Sequence, residues 1–279
     1  MKIFGIIMET NPLHNGHSYF IKKIKEIYHY INEIAPFDRA LDYDNCGILL
    51  GDPEKEVTKC LICLDVTEVV LKEAVRIGAQ LIVSHHPVIF HPVRQILGSS
   101  LLSRLVKRDI AVLSAHTNLD MAEHGVNYQL ALKCGLIPET LQKIPDDTAK
   151  QEDGFGWGGH LAQPMTPSAF GAWIKQSLGI ERIKYTDGKK EIRTVAVSCG
   201  SGGFLLEAVL QAGIDAMVTA ELKHHELLEA VSAGLTAVDA GHFETERIIK
   251  EPLRQMLADR FTEVDFFCAG EEENPACYL

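Results

Sequence analysis

Short apolar runs alternate with stretches whose apolar positions recur at i, i+3 and i+4, and the alternation holds along most of the chain. The runs GILL (47–50), CLICLD (60–65), QLIVS (80–84), IAVLSA (110–115), TVAVS (194–198), AMVT (216–219), TAVDA (236–240) and EVDFFC (263–268) predict β-strands. Between them, EVVLKEAVRIG (68–78), LLSRLVKR (101–108), SAFGAWIKQSLG (168–179), FLLEAVLQAG (204–213) and HELLEAVSAG (225–234) predict helices, several closed by a glycine. Such alternation predicts an α/β fold with sheets covered by helices.

The pattern also repeats. LDVTEVVLKEAVRIGAQLIVSHH (64–86) lines up with SCGSGGFLLEAVLQAGIDAMVTAELKHH (198–225), each a strand end, a helix, a glycine, a second strand and a histidine pair. Downstream, IAVLSAHTNLD (110–120) lines up with LTAVDAGHFETE (235–246), each a strand followed by a histidine and then an acid four residues later. Two related α/β halves are expected, 27–134 and 193–279, with 135–192 connecting or decorating them and 1–26 as a separate leading fragment.

Composition narrows the function. The charged fraction of 23% and hydrophobic fraction of 46% are those of an ordinary globular chain. A net charge of −11 argues against a general nucleic-acid binder. No segment approaches the ~20 apolar residues of a membrane span, and Glu9 and Asn11 interrupt the first apolar run, so no signal peptide is read and a cytoplasmic location is expected. Seven cysteines are then expected as thiols. Cys60 and Cys63 form a C-x-x-C, but within a strand they face opposite sides and no second pair completes a zinc site.

Histidines and acids fall at the C-terminal ends of predicted strands, the edge where open α/β sheets place ligands. Ser84-His85-His86-Pro87 ends one strand; adjacent rings on an extended chain diverge, so the pair needs either a bend at Pro87 or two ions. Asp120 follows the neighbouring strand, and His242 and Glu246 share one helix face at i, i+4. His85, His86, Asp120, His242 and Glu246 together supply three imidazoles and two carboxylates, a set suited to divalent Zn, Mn, Fe or Co. His116, Glu221, His224 and His225 are candidates to orient ligands, to act as acid/base groups or to be solvated polar residues, while His91 and His160 read as surface or packing residues. The turn Ser198-Cys199-Gly200-Ser201-Gly202-Gly203 could hold a phosphate at a helix start or be a tight turn; its spacing matches neither phosphate-loop pattern.

From Ile27 to Leu279 the chain resembles the Nif-three-like dinuclear metal-centre proteins, the GTP cyclohydrolase 1 type 2 family. The matching pieces are APFDRALDYDNCGILLGDP (35–53), SHHPVIF (84–90), HTNLD (116–120), HGVN (124–127), SCGSGGFLLEA (198–208), TAELKHHELLEA (219–230), AGHFETER (240–247) and the terminal NPACYL. The resemblance implies two metals at His85, His86, Asp120, His242 and Glu246, two α/β lobes facing a cleft, and a ring-shaped homohexamer. Tyr43 stands where tryptophan is common, and His124 and Ala220 where glycines are common. It also implies hydrolysis of a nucleotide, with opening of the guanine ring of GTP and release of formate. His116, Glu221 and His224 would then shuttle protons, and Gly200, Ser201, Gly202, Gly203 or Lys223 would meet phosphate. A two-metal phosphatase or phosphodiesterase and a non-catalytic metal-binding scaffold or regulator remain the alternatives. Residues 1–26, with GIIMETNPLHNGH, resemble instead the start of tRNA cytidine acetate ligases, HxGH nucleotidyltransferases in which His14 and His17 would bind ATP phosphates. The sheet such a site needs is missing here, so the fragment reads as a relic.

Overall fold

The computed structural model describes residues 22–145 and 154–277. GIIMETNPLHNGH, with His14 and His17, lies outside the described residues. In chain order the strands are β1 (Lys22–Lys23), β2 (Gly47–Leu50), β3 (Glu56–Val57), β4 (Lys59–Cys63), β5 (Leu81–Ser84), β6 (Ala111–Ser114), β7 (Gln142–Ile144), β8 (Gly156–Met165), β9 (Lys184–Tyr185), β10 (Ile192–Val197), β11 (Ala216–Thr219), β12 (Thr236–Asp239) and β13 (Asp265–Cys268). They form a mixed α/β fold with a five-stranded sheet, order β13-β4-β5-β6-β2, a six-stranded sheet, order β7-β8-β10-β11-β12-β9, and the small pair β1-β3.

Each large sheet is built on three parallel strands, β4-β5-β6 and β10-β11-β12. Helices Glu68–Ile77 and Leu101–Lys107 carry the first crossovers, and Leu206–Gln211 and His224–Ala233 the second. This is the sequence repeat in three dimensions. Its local causes are legible: the Thr67 side chain caps helix Glu68–Ile77 by accepting from the Val70 amide, and Gly78, at φ 73°, ends it in the left-handed region. In the first sheet, Cys60 and Ile62 face one apolar cluster while Leu61 and Cys63 face the other, as strand alternation requires. Cys60 and Cys63 are therefore buried separately, as free thiols. The cluster on the Cys60 side continues through Val195, Val197, Met217 and Val238 of the second sheet, so both sheets share one core.

Two segments take places other than those expected. Segment 135–192 is more than a connector: β7, β8 and β9 within it make half of the six-stranded sheet. β8 escapes a propensity reading because GWGGHLAQPM is rich in glycine and lacks β-branched residues. Its glycines answer to packing; a Cβ on Gly156 would lie 2.8 Å from the Val197 carbonyl oxygen. At the other end, β13 leaves the second half and pairs in parallel with β4, closing the five-stranded sheet.

The fold also begins before residue 27. β1 pairs antiparallel with β3, and helix Ile24–Ile34 buries Ile24, Ile27 and Ile31 completely. Spacing i, i+3, i+7 puts the three on one stripe. Ile24→Ala should therefore cost about 2–5 kcal/mol, as for other fully buried aliphatic truncations. Urea unfolding measures it; a loss under about 0.5 kcal/mol would place residues 22–26 outside the folded unit.

Candidate metal centre

The C-terminal ends of β5, β6, β11 and β12 deliver the chemistry-bearing residues to one place. His85 and His86 follow β5, and their amides extend the ladder to the carbonyls of Cys63 and Leu64. The chain then bends. The Ser84 hydroxyl donates to the His86 carbonyl at 2.8 Å and lies 2.7 Å from the Ser114 hydroxyl. With that bend, the two rings come to 5.0 Å between centroids and face a common centre. Past β6, the wholly buried helix Thr117–Met121 brings in Asp120; past β12, helix His242–Glu246 brings in His242 and Glu246.

Glu246 lies at the middle of the cluster and is 2% exposed. Its Oε1 is 3.1 Å from His242 Nε2 and 3.9 Å from His85 Nε2, and its Oε2 is 3.0 Å from His86 Nε2. His85 Nε2 is also 3.5 Å from Asp120 Oδ1. Among the described residues, two sets could hold a metal ion: His85, His86 and His116, and His86, His242 and Glu246, the ligand atoms within each set lying within 4.8 Å of one another. His116, expected as a proton carrier, thus stands among potential ligands as well.

Each ring is fixed through Nδ1, which leaves Nε2 for the centre. His85 Nδ1 lies 3.0 Å from the Ala115 carbonyl oxygen, which can only accept, so this nitrogen carries the proton. His86 Nδ1 is 2.9 Å from Asp65 Oδ1, His116 Nδ1 is 2.9 Å from Asp44 Oδ1, and His242 Nδ1 is 3.2 Å from Glu221 Oε1. Glu221 reaches this position from a left-handed backbone, φ 58°, unusual for a non-glycine residue. Asp44 also accepts from the Thr117 amide and hydroxyl and from the Cys46 thiol. The Cys199 thiol donates to Asp120 Oδ1 at 3.1 Å.

The electrostatics follow from this crowding of opposite charges. Burial disfavours ionised His86, but Asp65 and Glu246 outweigh it and raise its pKa to about 10. His85 is raised as well, against its burial, by Asp120 and Glu246. Glu246 on His242 outweighs partial burial and raises that ring too. Glu246 itself is held well below the usual carboxylate range despite burial, by the three histidines His242, His85 and His86 beside it. Burial pushes Asp120 up, opposed by His85 and His116. His116 and Thr117 hold Asp44 well below its ordinary value against burial. Even so, buried His85 Nε2 and Glu246 Oε2 lack hydrogen bonds of proper geometry. Two orphaned buried ligand atoms among imidazoles and carboxylates fit a divalent cation.

The remaining expected residues spread out. Gly200, at φ 55°, packs its backbone against the centre; a Cβ there would lie 2.5 Å from Glu246 Oε1. The amides of Cys199, Gly200 and Gly202 donate to Asn127 Oδ1, Thr245 Oγ1 and Thr219 Oγ1. A Cβ on Gly203 would meet the Glu226 carboxylate at 2.6 Å, and Lys223 is 3.6 Å from that same carboxylate. Ser201, His224 and His225 are exposed, and among the described residues neither histidine bonds to the cluster. Asp44 and Asp65 had no role in the sequence reading, and Cys199 entered it only as part of the glycine turn. Asp65 had a signal: β4 and β5 pair with Cys63 opposite Ser84, so Asp65 lies opposite His86.

Known proteins resemble the chain over most of its length. The family model Duf34/NIF3 (NGG1p interacting factor 3) matches residues 22–275. A second, HIGH Nucleotidyl Transferase, matches residues 1–35 and overlaps the first by helix Ile24–Ile34 and its flanks. A GTP cyclohydrolase 1 type 2 homolog of Clostridium perfringens is 34% identical over 91% of this chain and 98% of its own. A hypothetical protein of Staphylococcus aureus superposes with TM-score 0.85 at 28% identity, over 92% of this chain and 99% of that one. Reduced HcgD from Methanocaldococcus jannaschii does so with TM-score 0.76 at 28% identity, over 90% and 98%. The chain belongs to the Duf34/NIF3 (NGG1p interacting factor 3) family.

Proposed function

We infer that the protein is a metal-dependent hydrolase acting on a nucleotide, with two divalent ions held by His85, His86, Asp120, His242 and Glu246. The observation that carries the reading is the convergence of three Nδ1-anchored imidazoles, His85, His86 and His242, on the buried Glu246 carboxylate. Divalent ions there would supply Lewis acidity and lower the pKa of a water. Glu246 would be among the groups holding such ions, its Oε1 facing His242 and its Oε2 facing His86. Asp65, Glu221 and the Ala115 carbonyl keep the ring nitrogens aimed. His116, tied to Asp44 and 5.1 Å from the His85 ring, is placed to carry a proton at the edge of the site. Names of the relatives favour GTP. In this reading one water adds at C8 of the guanine and the C8–N9 bond breaks to leave a formamide, which a second water hydrolyses to the free amine and formate. The two-lobe cleft and the ring-shaped hexamer belong to the same proposal.

Metal-loaded protein incubated with GTP should release formate and change the guanine absorbance. Phosphate without formate would move the reading to a phosphatase, and turnover of no nucleotide by the metal-loaded protein would favour a scaffold. Glu246→Ala should lose bound metal and activity together; full activity in that variant sinks the assignment.

Asp65→Ala should weaken metal binding by roughly 10–100-fold, the usual effect of removing the partner that orients a ligating histidine. A competition titration against a chromogenic chelator measures this. An unchanged affinity would mean that His86 needs no such anchor.

Proton linkage gives a further test. The His86 pKa is raised in the metal-free protein, so its ion pairs stabilise fully below an ordinary histidine pKa of about 6.5. That stability is lost as the pH rises toward about 10. Metal-free protein should therefore melt at lower temperature as pH climbs through this window. Because a ligating imidazole must be neutral, adding metal near neutrality should release protons. Calorimetric titrations in buffers of different ionisation enthalpy count them, and a count of zero contradicts the charged histidines.

A further inference from the structure

Beside the cluster lies a cavity of about 620 Å³, within the range of small-molecule sites. His86, Glu221 and His242 form one part of its lining, and Arg182 and Lys184 another. Strand register explains the neighbourhood: β9 is an edge strand with Lys184 opposite Asp239, the last residue of β12, and the chain turns from β12 directly into His242. Cations from the segment 182–184 are thereby brought to the rim of the site.

Most carboxylate groups around the cavity are engaged. Asp65 pairs with His86, Glu221 with His242, and Glu244 accepts from Asn274 through Oε1, while its buried Oε2 has no partner among the described residues. Asp239 takes Lys184 together with the amides of Glu221 and Leu222. Arg182 is exposed and makes no hydrogen bond or ion pair with any described residue. A guanidinium with no internal partner, at a cavity where Asp65, Glu221 and Asp239 are already paired, matches a phosphate through its planar fork. Ile183, Phe243 and Pro275 offer apolar wall for the rest of a ligand.

We propose that this cavity binds a phosphate-bearing small molecule, with Arg182 as its phosphate contact and the ligand's reacting end toward His86 and His242. The proposal rests on reading the cluster as a hydrolytic metal centre. Its test is calorimetric binding of GTP, guanosine and inorganic pyrophosphate to the metal-loaded full chain, with Arg182→Gln and Arg182→Lys beside it. Arg182→Gln should weaken GTP and pyrophosphate by at least about tenfold, leave guanosine unchanged and keep the wild-type metal content; Arg182→Lys should recover part of the loss. GTP affinity unchanged in Arg182→Gln, an equal loss for guanosine, or no saturable binding of either phosphate compound by the wild-type protein each overturns it. Binding that depends on Arg182 yet survives complete chelation of metal would keep this subsite and sink the metal-centre reading.

Discussion

Two carboxylates, Asp120 and Glu246, are almost wholly shut away from water, and the surrounding structure answers to the cost of burying them. An isolated buried carboxylate is strongly disfavoured unless it is paired or binds a metal. Here the compensation comes from imidazoles, which are themselves costly to bury when charged. Asp44, Asp65 and Glu221 on the outer nitrogens offset that second cost and fix which nitrogen looks inward. The arrangement is layered: acids outside, imidazoles between, acids at the centre. Protons can hold it together, and the same groups could hold a divalent cation.

The duplicated architecture explains how such a centre arises. Each half presents three parallel strands whose C-terminal ends leave loops on one edge, and each places a histidine and an acid four residues apart after its third strand. One half contributes His116 and Asp120, the other His242 and Glu246. A shared core holds the two edges together, so residues as far apart as 85 and 246 meet at 3.9 Å. Asn127 adds a polar tie, accepting from the Cys199 amide and donating to the Phe155 carbonyl. These contacts leave both peptide groups paired within the seam, where an unpaired one would cost about 1–3 kcal/mol.

Much of this was legible from residue order. Periodicity placed the eight principal strands and five of the helices, because their apolar faces repeat at the spacing their geometry demands. It missed β8, whose glycines answer to contacts with Leu136, Ile144 and Val197 that only the fold supplies. It missed β13's return to the first sheet, because a strand's partner is not written in its own residues. Within the centre, the clustered residue types were evident from the repeat. Asp44 was not, because it lies in an irregular segment 72 residues before the histidine it holds.

The glycine turn after β10 shows how a motif changes meaning once its neighbours are known. Glycines between a strand and a helix suit a phosphate when their amides are free. Here three amides of the turn already have side-chain acceptors, Glu226 crowds Gly203, and the helix that follows the short turn is only Leu206–Gln211. At Gly200 the reason for glycine is steric: any side chain would collide with Glu246 Oε1. The turn therefore admits a buried carboxylate to the backbone at the heart of the centre. The proposed recognition of an outside anion then calls on groups whose bonds are not already made, and on the cavity side of the cluster the Arg182 guanidinium is such a group among the described residues, from a segment whose strands the sequence did not disclose.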